Sequence, residues 1–181
     1  MRRLLALAPL ALLAALPARA VTLAGPADAA SLTASADAVV RAQVVKQSSD
    51  WVRSDPKSGL IVTFVDLKII ESWKGQAAPA ATVRVQVPGG AVGDLGQVSQ
   101  GAAAFEDGEE VVIFLRRRAA EVYEVERWAL GKFKVRPDSA GEPRALRTRE
   151  GVTCRGCRPG EADELSVAAL KAKVLAAAEA K

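Results

Sequence analysis

Histidine is absent from all 181 residues, cysteine occurs twice, and the aromatic set is three Trp, one Tyr and four Phe. Without imidazole there is no ordinary general base near neutral pH, no Ser–His or Cys–His nucleophile, and none of the commonest metal ligand. Carboxylate chemistry remains open in principle. However, its densest group, Glu106, Asp107, Glu109 and Glu110, surrounds the turn signal Phe105-Glu-Asp-Gly-Glu109 and reads as solvated surface. Hydrolase and zinc-enzyme classes are therefore disfavoured, and no cofactor is expected. The scarcity of aromatics implies an aliphatic core and argues against stacking-based nucleic-acid binding.

No apolar run reaches the roughly 20 residues that a transmembrane helix requires. The closest is residues 4–16, which is interrupted by Pro9, preceded by Arg2 and Arg3, and followed by Ala18-Arg19-Ala20. A basic start, a short apolar stretch and a small-x-small ending form the pattern of a secretory leader. Cleavage is expected between Ala20 and Val21, giving a secreted or periplasmic product. Removing Arg2, Arg3 and Arg19 from 25 basic residues leaves 22 against 21 acidic ones, so the basic pI is largely a property of the leader. What persists is asymmetry. Acidic residues outnumber basic ones up to Leu115, and basic residues dominate from Arg116 to Arg158.

The remaining length suits one domain with a substantial core. Small residues with Gly25 and Pro26 suggest a loose start over residues 21–37, including a short helix from Ser31. Residues 38–137 carry the strand signals. Valine-rich 39–46 is followed by the long run 60–73, in which Ile61, Val65, Leu67, Ile69 and Trp73 share one face against Asp66 and Lys68. Residues 82–87 alternate, a five-glycine loop spans 89–101, and unbroken apolar 111–115 reads as a strand buried on both faces. Shorter strands follow around Gly131. Residues 138–160, rich in Arg, Gly and Pro, suggest irregular structure, and residues 161–181 form an alanine-rich helix with Val167, Leu170, Val174 and Ala178 on one stripe. The pattern predicts a mainly β fold, a small OB-type closed or partly open antiparallel barrel with a C-terminal α-helix. Closure removes exposed sheet edges, although a two-sheet sandwich accommodates the same strands.

Three segments in fixed order resemble a known family: Ser35-Ala-Asp-Ala-Val-Val-Arg-Ala-Gln-Val-Val45, Thr63-Phe-Val-Asp-Leu-Lys-Ile-Ile-Glu-Ser-Trp-Lys-Gly75, and Phe105-Glu-Asp-Gly-Glu-Glu-Val-Val-Ile-Phe-Leu115. They are similar to the bacterial branch of the netrin-like domains, the superfamily of tissue inhibitors of metalloproteinases. The resemblance covers about residues 35–116 and implies an OB-type five-stranded barrel in a secreted binding domain. It does not carry metalloproteinase inhibition across. Those inhibitors chelate zinc through an N-terminal cysteine, whereas cleavage here would expose Val21.

Cys154-Arg-Gly-Cys157 is the sharpest motif. Three readings are open: a local disulfide in an oxidising compartment, a redox-active dithiol activated by Arg155, Arg158 and Arg149, and half of a zinc site. Arg116, Arg117 and Arg118, at the end of an apolar strand, are either a solvated terminus or a contact for an acidic partner, extendable by Arg144, Arg147 and Arg149. Trp51, in the polar stretch 48–59, is the tryptophan expected at the surface. The glycine-rich loop lacks a phosphate-loop ending and reads as a mobile loop beside a binding face. These features predict a non-catalytic binding module whose contact surface combines Trp51, the arginine triplet and the loop after Val87. Its partner would be a protein or an acidic envelope polymer. The alternatives are a thiol-disulfide oxidoreductase using Cys154 and Cys157, and a structural component of a cell-surface assembly.

Overall fold

In a computed structural model of the chain, residues 111–115 are fully buried on both faces, as their unbroken apolar character predicts. The structure describes residues 20–55, 58–76, 78–120, 122–149, 151–157 and 163–180; residues 1–19, where a secretory leader is expected, and Arg158 and Glu161 lie outside the described residues. In chain order the elements are β1 (Val21–Ala24), α1 (Ala29–Ser35), β2 (Ala38–Asp55), β3 (Ser58–Lys74), β4 (Thr82–Pro88), β5 (Gly90–Val92), β6 (Leu95–Gln97), β7 (Glu110–Ala119) and β8 (Val122–Val125). A 3-10 turn (Trp128–Gly131) then leads to β9 (Lys132–Pro137), β10 (Pro143–Leu146), β11 (Val152–Arg155), β12 (Glu164–Ser166) and α2 (Val167–Glu179).

The ring runs β7-β2-β3-β4-β8 and closes by β8 pairing back onto β7. This is the OB-type barrel, not the sandwich. One feature differs from the expected antiparallel sheet: β4 and β8 run parallel, with Arg84 opposite Val122 and Gln86 opposite Glu124. Parity requires it, because a ring with an odd number of strands cannot alternate direction at every seam. β7 divides its second edge between two neighbours. Glu110–Ile113 pairs with β9, while Leu115–Ala119 pairs with β8.

Alternation along β7 feeds two cores. Val111, Ile113 and Leu115 point into the barrel with Val40, Ala42, Val44, Val65, Leu67, Ile69 and Val85. Val112 and Phe114 point outward, where Leu32 of α1, Phe133 of β9 and Leu170 and Val174 of α2 cover them. Burial of each large apolar side chain contributes about 1.5–3 kcal/mol, so this strand holds both layers. Trp73 joins the helix-covered layer rather than the barrel interior that its spacing predicts. The register shift in the β2–β3 ladder between Arg41 and Ala42, which leaves Ile70 as the extra residue between Ile69 and Glu71, reverses the facing after Ile69.

Other boundaries also differ from the expectations. Val21–Ala24 forms a strand parallel to β11 where composition suggests a loose start. α1 begins two residues before Ser31 and is capped by Asp28, whose carboxylate accepts from Ser31 N at 2.8 Å. The segment expected to be irregular contains β10 and β11. α2 begins at Val167 with Ser166 as its cap, because Glu164–Ser166 pairs with β10 as β12. The glycine-rich loop is a short β5–β6 hairpin sewn onto β3: Thr63 Oγ1 donates to Gly89 O at 2.9 Å, and Ile61 N donates to Gln97 Oε1 at 3.1 Å. β2 and β3 continue beyond the barrel as one long hairpin, and on it Asp50 accepts from Trp51 N at 2.7 Å.

The three segments behind the family resemblance meet around α1. Lys74 Nζ donates to Thr33 O and Ala36 O, both at 2.6 Å, placing a cation on the carbonyls that end the helix. Gly75 adopts φ 86°, and a Cβ there would lie 2.8 Å from Asp37 O. Asp37 in turn accepts from Arg117 N at 2.7 Å. Replacing Lys74 by Met is expected to cost about 1–2 kcal/mol in urea unfolding. Lys68→Met, at an exposed strand position, should stay within about 0.5 kcal/mol of the parent. Equal midpoints for the two variants would remove the anchoring role of Lys74.

Candidate functional site

The arginine triplet occupies the end of β7, where the strand leaves the barrel. Arg116 and Arg118 share one face and one partner. Arg116 Nε donates to Glu124 Oε1 at 2.8 Å and Arg118 Nη1 to Glu124 Oε2 at 3.2 Å. Glu126 lies 3.8 Å from Arg116. The Glu124 hydrogen bond, reinforced by its charge, raises the Arg116 guanidinium above the ordinary arginine range. Arg117 faces the other way, over the Tyr123 ring at 5.4 Å with a 3.1 Å bond to its hydroxyl. The triplet is thus not three unpaired cations, and its attraction for an acidic partner is partly cancelled from within.

Arg144, Arg147 and Arg149 do not extend it. Arg144 bonds Glu164 at 3.1 Å. Arg147 is buried, stacks over Phe133 at 5.0 Å and donates to Asp163 and Ala27 O. Arg149 donates to Asp163 at 2.8 Å. Burial alone would raise the Asp163 carboxyl, but its bonds from Arg149 and Arg147 outweigh that and hold it below the usual range. These arginines tie β12 and its neighbours to the body; charge spacing in the sequence does not distinguish that role from a surface patch.

Trp51 lies on the β2–β3 hairpin, half-buried, with its ring across Gly59: a Cβ at Gly59 would stand 2.9 Å from Trp51 Cε3. Arg53 sits 6.0 Å from the ring centroid. Trp51 lines none of the three best-formed cavities among the described residues. Leu60 and Val62, on either side of its ladder partner Ile61, line a groove with Arg116 and Arg118, but Trp51 does not.

Trp128 takes the place proposed for Trp51. An open groove of about 520 Å³ runs along the outer face of β4, β8 and β7, with Leu60, Val62 and Pro88 on one side and Leu23 and Trp128 on the other. Arg116, Arg118 and Glu124 form its charged wall. Leu60 is 60% exposed and Trp128 38% exposed, an unusual pair of large apolar groups facing one cleft. Trp128 is held there by backbone geometry. Arg127 (φ 56°) and Trp128 (φ 57°) are successive non-glycine residues in the left-handed region, each costing about 1–3 kcal/mol. Two clamps maintain the turn. The Arg127 guanidinium donates to Ala24 O, and Gly131 packs against Glu126 O so closely that no Cβ would fit. The sequence offered only Gly131 as a signal for this turn, and nothing in it separated Trp128 from a core tryptophan.

Cys154 and Cys157 form a disulfide with Cα atoms 5.6 Å apart. Cys154 is on β11, opposite Leu23 of β1, and Gly156 makes the intervening turn at φ 90°. The motif lies on a strand and its following turn, and among the described residues no helix begins at it to stabilise a thiolate as in thioredoxin-type sites. Among the described residues there is no group of three or more Cys, Asp or Glu that could hold a metal, and no helix long and apolar enough to cross a membrane.

The acidic turn is not uniformly solvated as its composition suggests. Glu109 is buried, bonded through Oε1 to Lys132 Nζ at 2.5 Å, with Lys134 3.4 Å from Oε2. Lys132 also donates to Ala104 O and lies 4.5 Å from the Phe105 ring centroid. Burial pushes the Lys132 ammonium below the usual lysine range, and Glu109 opposes that shift. No family model and no curated protein matches the chain.

Glu109→Gln would leave Lys132 buried without its charge partner, at an expected cost of about 3–5 kcal/mol near neutral pH. A lysine with a depressed folded-state pKa binds fewer protons folded than unfolded, so stability rises with pH between that pKa and the unfolded value of about 10.4. Losing Glu109 depresses the pKa further and opens this window at lower pH. The gap between variant and parent in urea unfolding should therefore narrow as pH is raised towards 10. A gap that widens would contradict the assigned burial of Lys132.

Proposed function

We propose that this chain is an exported, non-catalytic binding module of netrin-like kind that engages a protein partner through the groove between Leu60 and Trp128. The observation that carries the reading is Trp128 itself, an exposed aromatic kept at the edge of a cleft by two strained residues. Such strain persists where the surroundings over-determine it, and it clusters at ligand contacts. Tryptophan and arginine are the residue types that dominate binding energy at protein interfaces, and both meet here. An OB-type barrel supplies a rigid frame for the surrounding loops. Export rests on the leader-like pattern of residues 2–20; Val21, the expected first residue after cleavage, begins β1, and its nitrogen donates to Gly151 O at 2.9 Å. Destination is the periplasm or beyond the cell.

Immobilised protein starting at Val21 should retain a partner from an envelope extract. Trp128→Ala is expected to cut that retention at least about 30-fold, the effect of losing a central aromatic anchor. Arg118→Ala should weaken it less, and Trp51→Ala should leave it near the parent level. Retention unchanged by Trp128→Ala, with the fold verified by circular dichroism, would refute the groove as the contact surface.

A further inference from the structure

We infer that the Cys154–Cys157 disulfide is a redox latch on this groove, an inference that rests on the groove being the contact surface. A chain of direct contacts joins the two. The disulfide closes a ring with Gly156 at its turn, and this turn packs on β1: a Cβ on Gly156 would meet Gly25 Cα at 3.5 Å. From the same ring Arg155 O accepts from Gly25 N at 2.7 Å, and Cys154 Sγ lies 3.6 Å from Gly25 O. One residue earlier, Ala24 O receives the guanidinium of Arg127, whose left-handed backbone places Trp128. Leu23, opposite Cys154 in the β1–β11 ladder, lines the groove directly. The ring therefore fixes Gly25, Gly25 and Ala24 position Arg127, and Arg127 holds the tryptophan.

β1 is the weak member of that series. Among the described residues it pairs with β11 alone, in a parallel ladder of four residue pairs. Parallel pairing is slightly less stable per residue than antiparallel, and isolated two-stranded sheets are marginal. The ring supplies the constraint that the ladder lacks. Reduction would proceed by attack of a thiolate from a dithiol partner on one sulfur, giving a mixed disulfide and one free thiol on this chain. The partner's second thiolate then releases the other sulfur, leaving two thiols here and a disulfide on the partner. With the ring open, β1 loses its support, Arg127 loses Ala24 O, and the strained turn can relax to carry Trp128 away from the cleft.

Amide exchange and indole resonances of the folded chain from Val21, oxidised and after dithiothreitol, test this without any partner. Reduction should speed exchange of the Gly25 amide about 30-fold, the loop-closure contribution of so short a ring. It should also shift the Trp128 indole, while the Trp73 indole and the Ile113 amide stay unchanged. Arg127→Met in the oxidised protein should shift the Trp128 indole with Gly25 still protected. An unmoved Trp128 indole on reduction overturns the latch, whatever happens at Gly25. Parallel loss of Ile113 protection also overturns it, because the bond would then staple the whole fold. Envelope capture by oxidised protein is scored separately, so failure of the groove and failure of the latch remain distinct.

Discussion

β7 is asked to satisfy two hydrophobic layers and three neighbouring strands at once, and most of the architecture follows from how it does so. Its apolar half cannot be an edge or a half-solvated strand, because both faces are buried from Val111 to Leu115. One face fills the barrel and the other must be roofed, which is the task of α1, α2 and β9. The helices are thus covers for a strand with no solvent-facing side. Where that double burial stops, at Arg116, the strand becomes amphipathic and the groove begins.

Charge in this molecule is mostly consumed internally. Glu124 holds Arg116 and Arg118, Asp163 binds Arg147 and Arg149, and Glu109 serves Lys132. Exposed pairs of this kind contribute little to stability, but buried members cannot lose a partner cheaply. The basic bias of residues 116–158 therefore pairs with carboxylates on nearby strands and loops, and only part of it reaches solvent as a recognisable surface.

Much of the barrel was legible in the sequence because period-two alternation and unbroken apolar runs report burial directly. The barrel faces of Val65, Leu67 and Ile69, the burial of Ile61, the two-sided burial of residues 111–115, and the α2 stripe of Val167, Leu170 and Val174 all followed from spacing. Trp73 did not, because a bulge changes facing without changing composition. β1, β11 and β12 were hidden for a related reason: short strands are stabilised by tertiary pairing, not by local propensity. At the candidate site the legibility was lower. The arginines and cysteines stand out by residue type, whereas Trp128 depends on a backbone conformation that no side-chain pattern announces.

The parallel seam between β4 and β8 has a consequence for the order of assembly. Arg84 and Gln86 wait for Val122 and Glu124, which come after β5, β6 and all of β7 in the chain. A polypeptide made from its N-terminus can zip β2, β3 and β4 as local hairpins, but the ring shuts only once β8 arrives. Such long-range closure is slow compared with hairpin formation. During that interval the incomplete sheet has raw edges, and part-way along the β2–β3 hairpin, where Asp50 occupies the Trp51 amide, one backbone donor is already withheld from pairing with a neighbour.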